Sequence, residues 1–162
     1  MRYVLRQKLF ALGDDFHIRD DSGRDVFVVD GRAFSIAEKL SFRDMNGTEL
    51  VFIREKLLSF GPAYELYRGG ELAAVVKKKH FTLFRVKFSI DVPGPDDLEA
   101  QGDFLDHEYT FKRGGRKVAE VSKRWLSMTD TYSVDIAEGE DDVLILASAV
   151  VIDMICHEEP KD

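Results

Sequence analysis

The stretch DDVLILASAVVIDMI, Asp141–Ile155, decides the fold. It reads as a helix with almost no polar side. On a 100° wheel Val143, Leu144, Ile145, Leu146, Val150, Val151, Ile152, Met154 and Ile155 spread around most of the circle. One sector is thin, where Ala149, Asp153 and Cys156 sit. Val143–Cys156 is 14 residues, roughly 21 Å of helix. A bilayer core is about 30 Å thick and needs about 20 residues. Asp153 is also costly in lipid. The run is therefore expected not to span a membrane. It also lacks the polar face of a surface helix. Burying nine such side chains is worth roughly 13–27 kcal/mol as an upper bound, against a typical net stability of about 5–15 kcal/mol. A helix apolar all round is buried all round, so something must enclose it.

The helix is expected over about residues 141–156. EGEDD (138–142) places four carboxylates at its start, where the helix dipole favours negative charge. HEEPKD (157–162) ends it, since Pro160 cannot continue it.

Upstream the period changes from 3.6 to 2. VFVVDG (26–31), ELVFIREK (49–56), LAAVVKKK (72–79), FTLFRVKFSI (81–90), HEYTFKRGG (107–115), KVAEVSKRW (117–125) and TYSVDI (131–136) read as strands. Turn signals fall between them: DDSG at 20–23, MNG at 45–47, RGG at 68–70 and 113–115, and PGP at 93–95. YELYRGGELAAVVKK (64–78) aligns with YTFKRGGRKVAEVSK (109–123) at an offset of 45. IRDDSGRDVFVV (18–29) echoes FRDMNGTELVFI (42–53) at an offset of 24. Repeated hairpins can roll a sheet into a barrel without open edges. Twelve or so strands make a barrel too wide for side chains alone to fill, and a helix is about 10–12 Å across. The expected fold is mostly β: a single domain over 1–162, a closed antiparallel β-barrel of about twelve strands around the buried C-terminal helix.

Composition agrees with an ordinary globular chain: 162 residues, 44% hydrophobic, 33% charged. The net charge of −7 argues against nucleic-acid binding. The charge is uneven: residues 1–90 balance at +4 and 91–162 at −11. The single cysteine, Cys156, excludes an internal disulfide and suits a reducing compartment. Arg2, Arg6 and Lys8 break any signal-peptide core in MRYVLRQKLFALGDD. A cytoplasmic location is expected.

RQKLFALGDDFHIRDDSG (6–23), GRAFSIAEKLSFRDMNGTEL (31–50), QGDFLDHEY (101–109), VAEVSKRW (118–125) and DTYSVDIAEGEDDVLILASAVVIDMI (130–155) together resemble the LURP-one-related proteins, in particular their bacterial YxjI-like group. That resemblance implies the tubby C-terminal-like class, shared with the phospholipid scramblases: twelve strands around a hydrophobic C-terminal helix. Tubby domains bind phosphoinositide headgroups and scramblases are linked to lipid movement. These are likenesses of fold rather than of a binding motif.

The basic run VVKKKHFTLFRVKF (75–88) is the foremost binding candidate. Lys77, Lys78 and Lys79 end one strand; Arg85 and Lys87 share one face of the next, and His80, Thr82, Phe84, Val86 and Phe88 the other, toward the helix. The 45-residue repeat sets Lys123 and Arg124 at the positions of Lys78 and Lys79. If the two hairpins are neighbours, these cations converge and suit a phosphorylated headgroup or an anionic membrane surface, at about 1 kcal/mol per residue. The alternative is that they solubilise exposed strands. The expected function is non-enzymatic: reversible binding of anionic phospholipid or phosphoinositide headgroups, peripheral to the inner face of the membrane, or else a scaffold for a protein partner.

DFLDHEY offers Asp103, Asp106, His107 and Glu108, but on a strand Asp106 and Glu108 face one side and His107 the other, so no metal site is expected. DDSGRD (20–25) reads as a hairpin turn rather than a calcium loop. Asp153, if buried, must find donors or be protonated; a backbone group or an Arg or Lys at the barrel mouth is the expected partner. Trp125 is expected to pack at a barrel end. No Gly-x-Ser-x-Gly elbow, P-loop, His-Glu-x-x-His or Gly-x-Gly-x-x-Gly occurs, and Cys156 lies in an apolar helix. Neither an enzyme nor a cofactor is expected.

Overall fold

Alternation of inward and outward side chains builds the wall. The computed structural model describes residues 1–6, 15–32, 39–58, 61–82, 85–124 and 130–157. Trp125, Phe84 and Pro160 lie outside the described residues, as do the side chains of His80, Thr82 and Arg85. The strands are β1 (Arg2–Arg6), β2 (Phe16–Asp20), β3 (Asp25–Arg32), β4 (Lys39–Asp44), β5 (Glu49–Leu58), β6 (Gly61–Arg68), β7 (Glu71–Thr82), β8 (Arg85–Asp91), β9 (Leu98–Asp103), β10 (Glu108–Arg113), β11 (Arg116–Ser122) and β12 (Thr131–Ile136). The helix α1 follows, Asp142–His157. Each strand pairs antiparallel with its sequence neighbours, and β1 closes on β12, giving a barrel of twelve strands.

FTLFRVKFSI, expected as one strand, is divided: β7 runs on to Thr82 and β8 begins at Arg85. Val86 and Phe88 face inward as expected, Phe88 fully buried and Val86 packed against the core. LEAQGD, which shows no strand pattern, forms β9. Only Leu98 and Ala100 point to its core face, and its strand character comes from pairing with β8 and β10 on both sides.

The two sequence echoes are structural repeats. Gly69–Gly70 and Gly114–Gly115 have the same φ values, 56° and 81°, so both hairpins turn on two left-handed residues. Tyr64 pairs with Val76 in one and Tyr109 with Val121 in the other. In the second echo, Asp20 Oδ1 accepts from the amides of Ser22 and Arg24, and Asp44 Oδ1 from those of Asn46 and Thr48. Both are Asx-type hairpin turns, as expected of DDSGRD.

The helix is the core. Leu146, Val150 and Val151 are wholly buried and Ile152 is 1% exposed. Residues from every strand of the wall join them in one apolar cluster. Asp141 caps the helix: its Oδ1 accepts from the Leu144 amide at 3.2 Å and its carbonyl from the Ile145 amide. The expected start is thus within one residue. Among the described residues no helix is long and apolar enough to cross a membrane.

Candidate functional site at the barrel end where the helix finishes

Alternating strand directions give the barrel two unlike ends. At the start of α1, the acidic linker Glu138–Asp142 is held by arginines from two hairpin turns. Arg68 grips Asp141 with two bonds of 2.6 and 2.7 Å, and Arg113 Nη1 lies 2.7 Å from Glu140 Oε2. Tyr3 donates to Asp142 at 2.5 Å. These two arginines occupy equivalent places in the 45-residue repeat. Burial pushes Asp141 up, but the Arg68 guanidinium and the Leu144 amide outweigh it and hold the carboxyl below its usual range.

The other end carries the basic residues. Lys77, Lys78 and Lys79 on β7 lie opposite Ser89, Phe88 and Lys87 on β8. Direct partners share a face, so Lys78, opposite the inward Phe88, turns toward the barrel mouth, while Lys79 and Lys87 point outward side by side. Lys77 is engaged by Asp91 at 3.3 Å. Arg85 places its backbone at the start of β8.

Lys123 and Arg124 do not join this group. They follow β11, and β8, β9 and β10 stand between it and β7. Four strand spacings make about 19 Å around the wall. Arg124 is drawn instead to Glu120 (3.2 Å) and Glu108 (3.5 Å). The hairpins repeat in sequence without being neighbours in the barrel, so the basic residues form two groups on one rim. The turn at 104–107 lies between them, flanked by Asp103 and carrying Asp106.

That turn holds the residue pair that strand logic missed. His107 lies in the turn, not on a strand, at φ 52°. This left-handed backbone swings its ring inward, where it is 1% exposed, and Nε2 sits 2.6 Å from Asp153 Oδ1. Asp153 is thus met by a histidine, a partner outside the expected Arg, Lys or backbone group. The His107 ring stacks on Tyr132, centroids 4.3 Å apart. Burial and the Asp153 charge push the Tyr132 and Tyr109 hydroxyls well up. Among the described residues no group of three or more His, Cys, Asp or Glu is placed to hold a metal. The only signal in sequence was Asp153 itself, a carboxylate in an apolar helix that demanded a partner.

Near this pair an open cavity of about 650 Å³ is lined by Lys78 and Val86, by Gly102–Leu105, and by Ile155 and Cys156. Burial pushes the Cys156 thiol up to about 11, with Lys78 opposing and Asp153 adding to the shift. Gly102 is required here: at φ 141°, a Cβ would lie 2.6 Å from the Glu108 carbonyl oxygen and Tyr109 Cα.

Known proteins share both sequence and fold. The chain is 37% identical to the uncharacterized protein YxjI of Bacillus subtilis (strain 168) over 158 residues, covering 98% of this chain and 95% of that protein. It is 23% identical to protein LURP-one-related 15 of Arabidopsis thaliana over 173 residues, covering 96% and 80%. An X-ray structure of an Arabidopsis thaliana protein superposes with a TM-score of 0.69 at 19% identity, covering 97% of this chain and 91% of that one. The LURP-one-related family profile matches residues 1–153. A barrel closed around its own C-terminal helix, with likeness running from end to end, means that the chain belongs to the LURP-one-related family.

Proposed function

We propose that this protein is a non-enzymatic module of the cytoplasm that binds anionic phospholipid or phosphoinositide headgroups reversibly at the inner membrane face. The observation that carries the reading is the β7–β8 group. Lys79 and Lys87 stand directly opposite one another on the outer face, and Lys78 beside them turns toward the barrel mouth, so three cations gather there. Lys78 and Lys79 have no ion pair among the described residues, although their neighbour Lys77 is paired with Asp91. An anionic headgroup would meet the unpaired Lys78 and Lys79 at about 1 kcal/mol per cation. The absence of catalysis is supported by burial: the His107–Asp153 pair is shielded from solvent, and the Cys156 thiol is held protonated.

Co-sedimentation of the full chain with phosphatidylcholine vesicles, with and without phosphatidylglycerol or a phosphoinositide, tests this. Binding is expected to grow with anionic lipid, to fall with salt, and to weaken on Lys78→Glu/Lys79→Glu substitution. Equal, poor recruitment to neutral and anionic vesicles at low salt excludes it.

A second reading, a scaffold for a protein partner, is favoured by an outward apolar group on β5–β7. The Phe52 and Tyr67 rings lie 6.5 Å apart beside Leu72, which is 42% exposed. Partner enrichment that survives charge reversal of Lys77, Lys78 and Lys79 supports this reading over the first.

A further inference from the structure

We infer that the barrel docks end-on against an anionic bilayer, by the rim where α1 finishes, with Leu105 entering the headgroup layer. This rests on the lipid reading and adds the orientation and the apolar contact. Strand directions bring both basic groups to one rim. β7 runs toward it past Lys78 and Lys79, β8 leaves it past Lys87, and β11 arrives at it just before Lys123 and Arg124.

The separation of the groups selects the occupant. At about 19 Å around the wall, no single headgroup reaches both. A lipid surface offers many phosphates in one plane and can meet Lys78 and Lys79 together with Lys123, while Arg124 is held by Glu108 and Glu120.

Between the groups stands Leu105, at the tip of the β9–β10 turn and 64% exposed. Its position distinguishes it from scattered surface leucines, which are ordinary. It borders the open cavity that Val86, Phe104 and Ile155 at the end of the helix also line, with Lys78 facing the same space. Asp103 and Asp106 flank it and are both exposed, and they oppose a negative surface. The balance of lysines, leucine and these carboxylates makes the contact weak and releasable.

The test uses the full chain and vesicles of phosphatidylcholine with 30–40% phosphatidylglycerol, on the order of what peripheral binding requires, at low salt. Leu105→Ser is expected to weaken binding about fivefold or more, and Asp106→Asn to strengthen it about fivefold. Leu72→Ser, an exposed leucine toward the opposite end, is the control and is expected to leave binding unchanged. Leu105 is exposed, so matched melting temperatures confirm that L105S folds. Wild-type binding that L105S leaves unaltered, or that L72S weakens equally, overturns the end-on orientation and leaves the lipid reading standing. A wild-type chain that ignores anionic vesicles overturns both. Loss of a protein partner's capture in L105S, without vesicle binding, overturns the lipid occupant in favour of a protein one.

Discussion

Arg68 and Asp141, 73 residues apart, meet in a two-bond ion pair that ties a hairpin turn to the cap of the central helix. Arg113 repeats the gesture on Glu140 from the equivalent turn. The internal repeat thus supplies two arginines to one end of the barrel. Both Arg68 and Asp141 are about two-fifths exposed, so solvent screens the pair. Arg68→Gln is expected to cost at most about 1 kcal/mol, or about 2–4 °C in melting temperature. Because Asp141 has a lowered folded value, its contribution is present above the unfolded carboxylate value of about 3.9 and is lost as pH falls through the folded one. The stability difference between wild type and R68Q should shrink toward zero between about pH 5 and pH 2. A difference that stays constant over that range removes the pair from the acid response.

Asp153 and His107 are coupled across a buried 2.6 Å contact. Asp153→Ala leaves the imidazole without its carboxylate and is expected to cost about 3–5 kcal/mol in urea unfolding. In a double-mutant cycle with His107→Ala the two losses should fall short of additivity by 1 kcal/mol or more, on the order found for contacting pairs. Additive losses would show that the pair is only a coincidence of packing.

Gly102 and Gly61 provide an internal comparison. Both have positive φ, 141° and 133°, but only Gly102 faces backbone within 3 Å of a Cβ. Gly102→Ala is expected to cost several kcal/mol, since the β10 backbone must move, whereas Gly61→Ala carries only conformational strain of about 1–3 kcal/mol. Equal melting temperatures for the two variants would falsify the close approach of β9 to β10.

Leu146 and Ile152 measure the helix as core. Each is essentially without solvent contact, so truncation to Ala should cost about 2–5 kcal/mol, with the spread set by how far the barrel can collapse. Losses below about 1 kcal/mol at both sites would mean that the helix is not enclosed.

Cys156 should be a poor nucleophile. With its thiol pushed up to about 11, labelling by a maleimide near pH 7 should be much slower than for a free thiol and should rise tenfold per pH unit up to about pH 10. Removing the Lys78 charge should push the thiol further up and slow labelling further. Rapid, pH-independent labelling near neutrality would contradict this environment.

The sequence by itself determined the helix and the hairpins, and made an enclosing barrel the expected way to bury that helix. Nine large aliphatics around every side of Asp141–Ile155 leave burial as the only favourable state, and Asn46-Gly47, Gly69-Gly70 and Gly114-Gly115 carry their turn geometry in their own backbones. β9 escaped notice because LEAQGD has little strand preference of its own and owes its conformation to hydrogen bonds from both neighbours. Only the tertiary structure decided which side chains meet. The repeat aligns Lys123 with Lys78, yet strand order sets three strands between their strands and leaves Arg124 to Glu108 and Glu120. His107 reaches Asp153 only because one left-handed turn residue points inward where the helix happens to end. Turn and burial preferences act between residues close in the chain, whereas these meetings depend on closure of the whole ring, which no local stretch encodes.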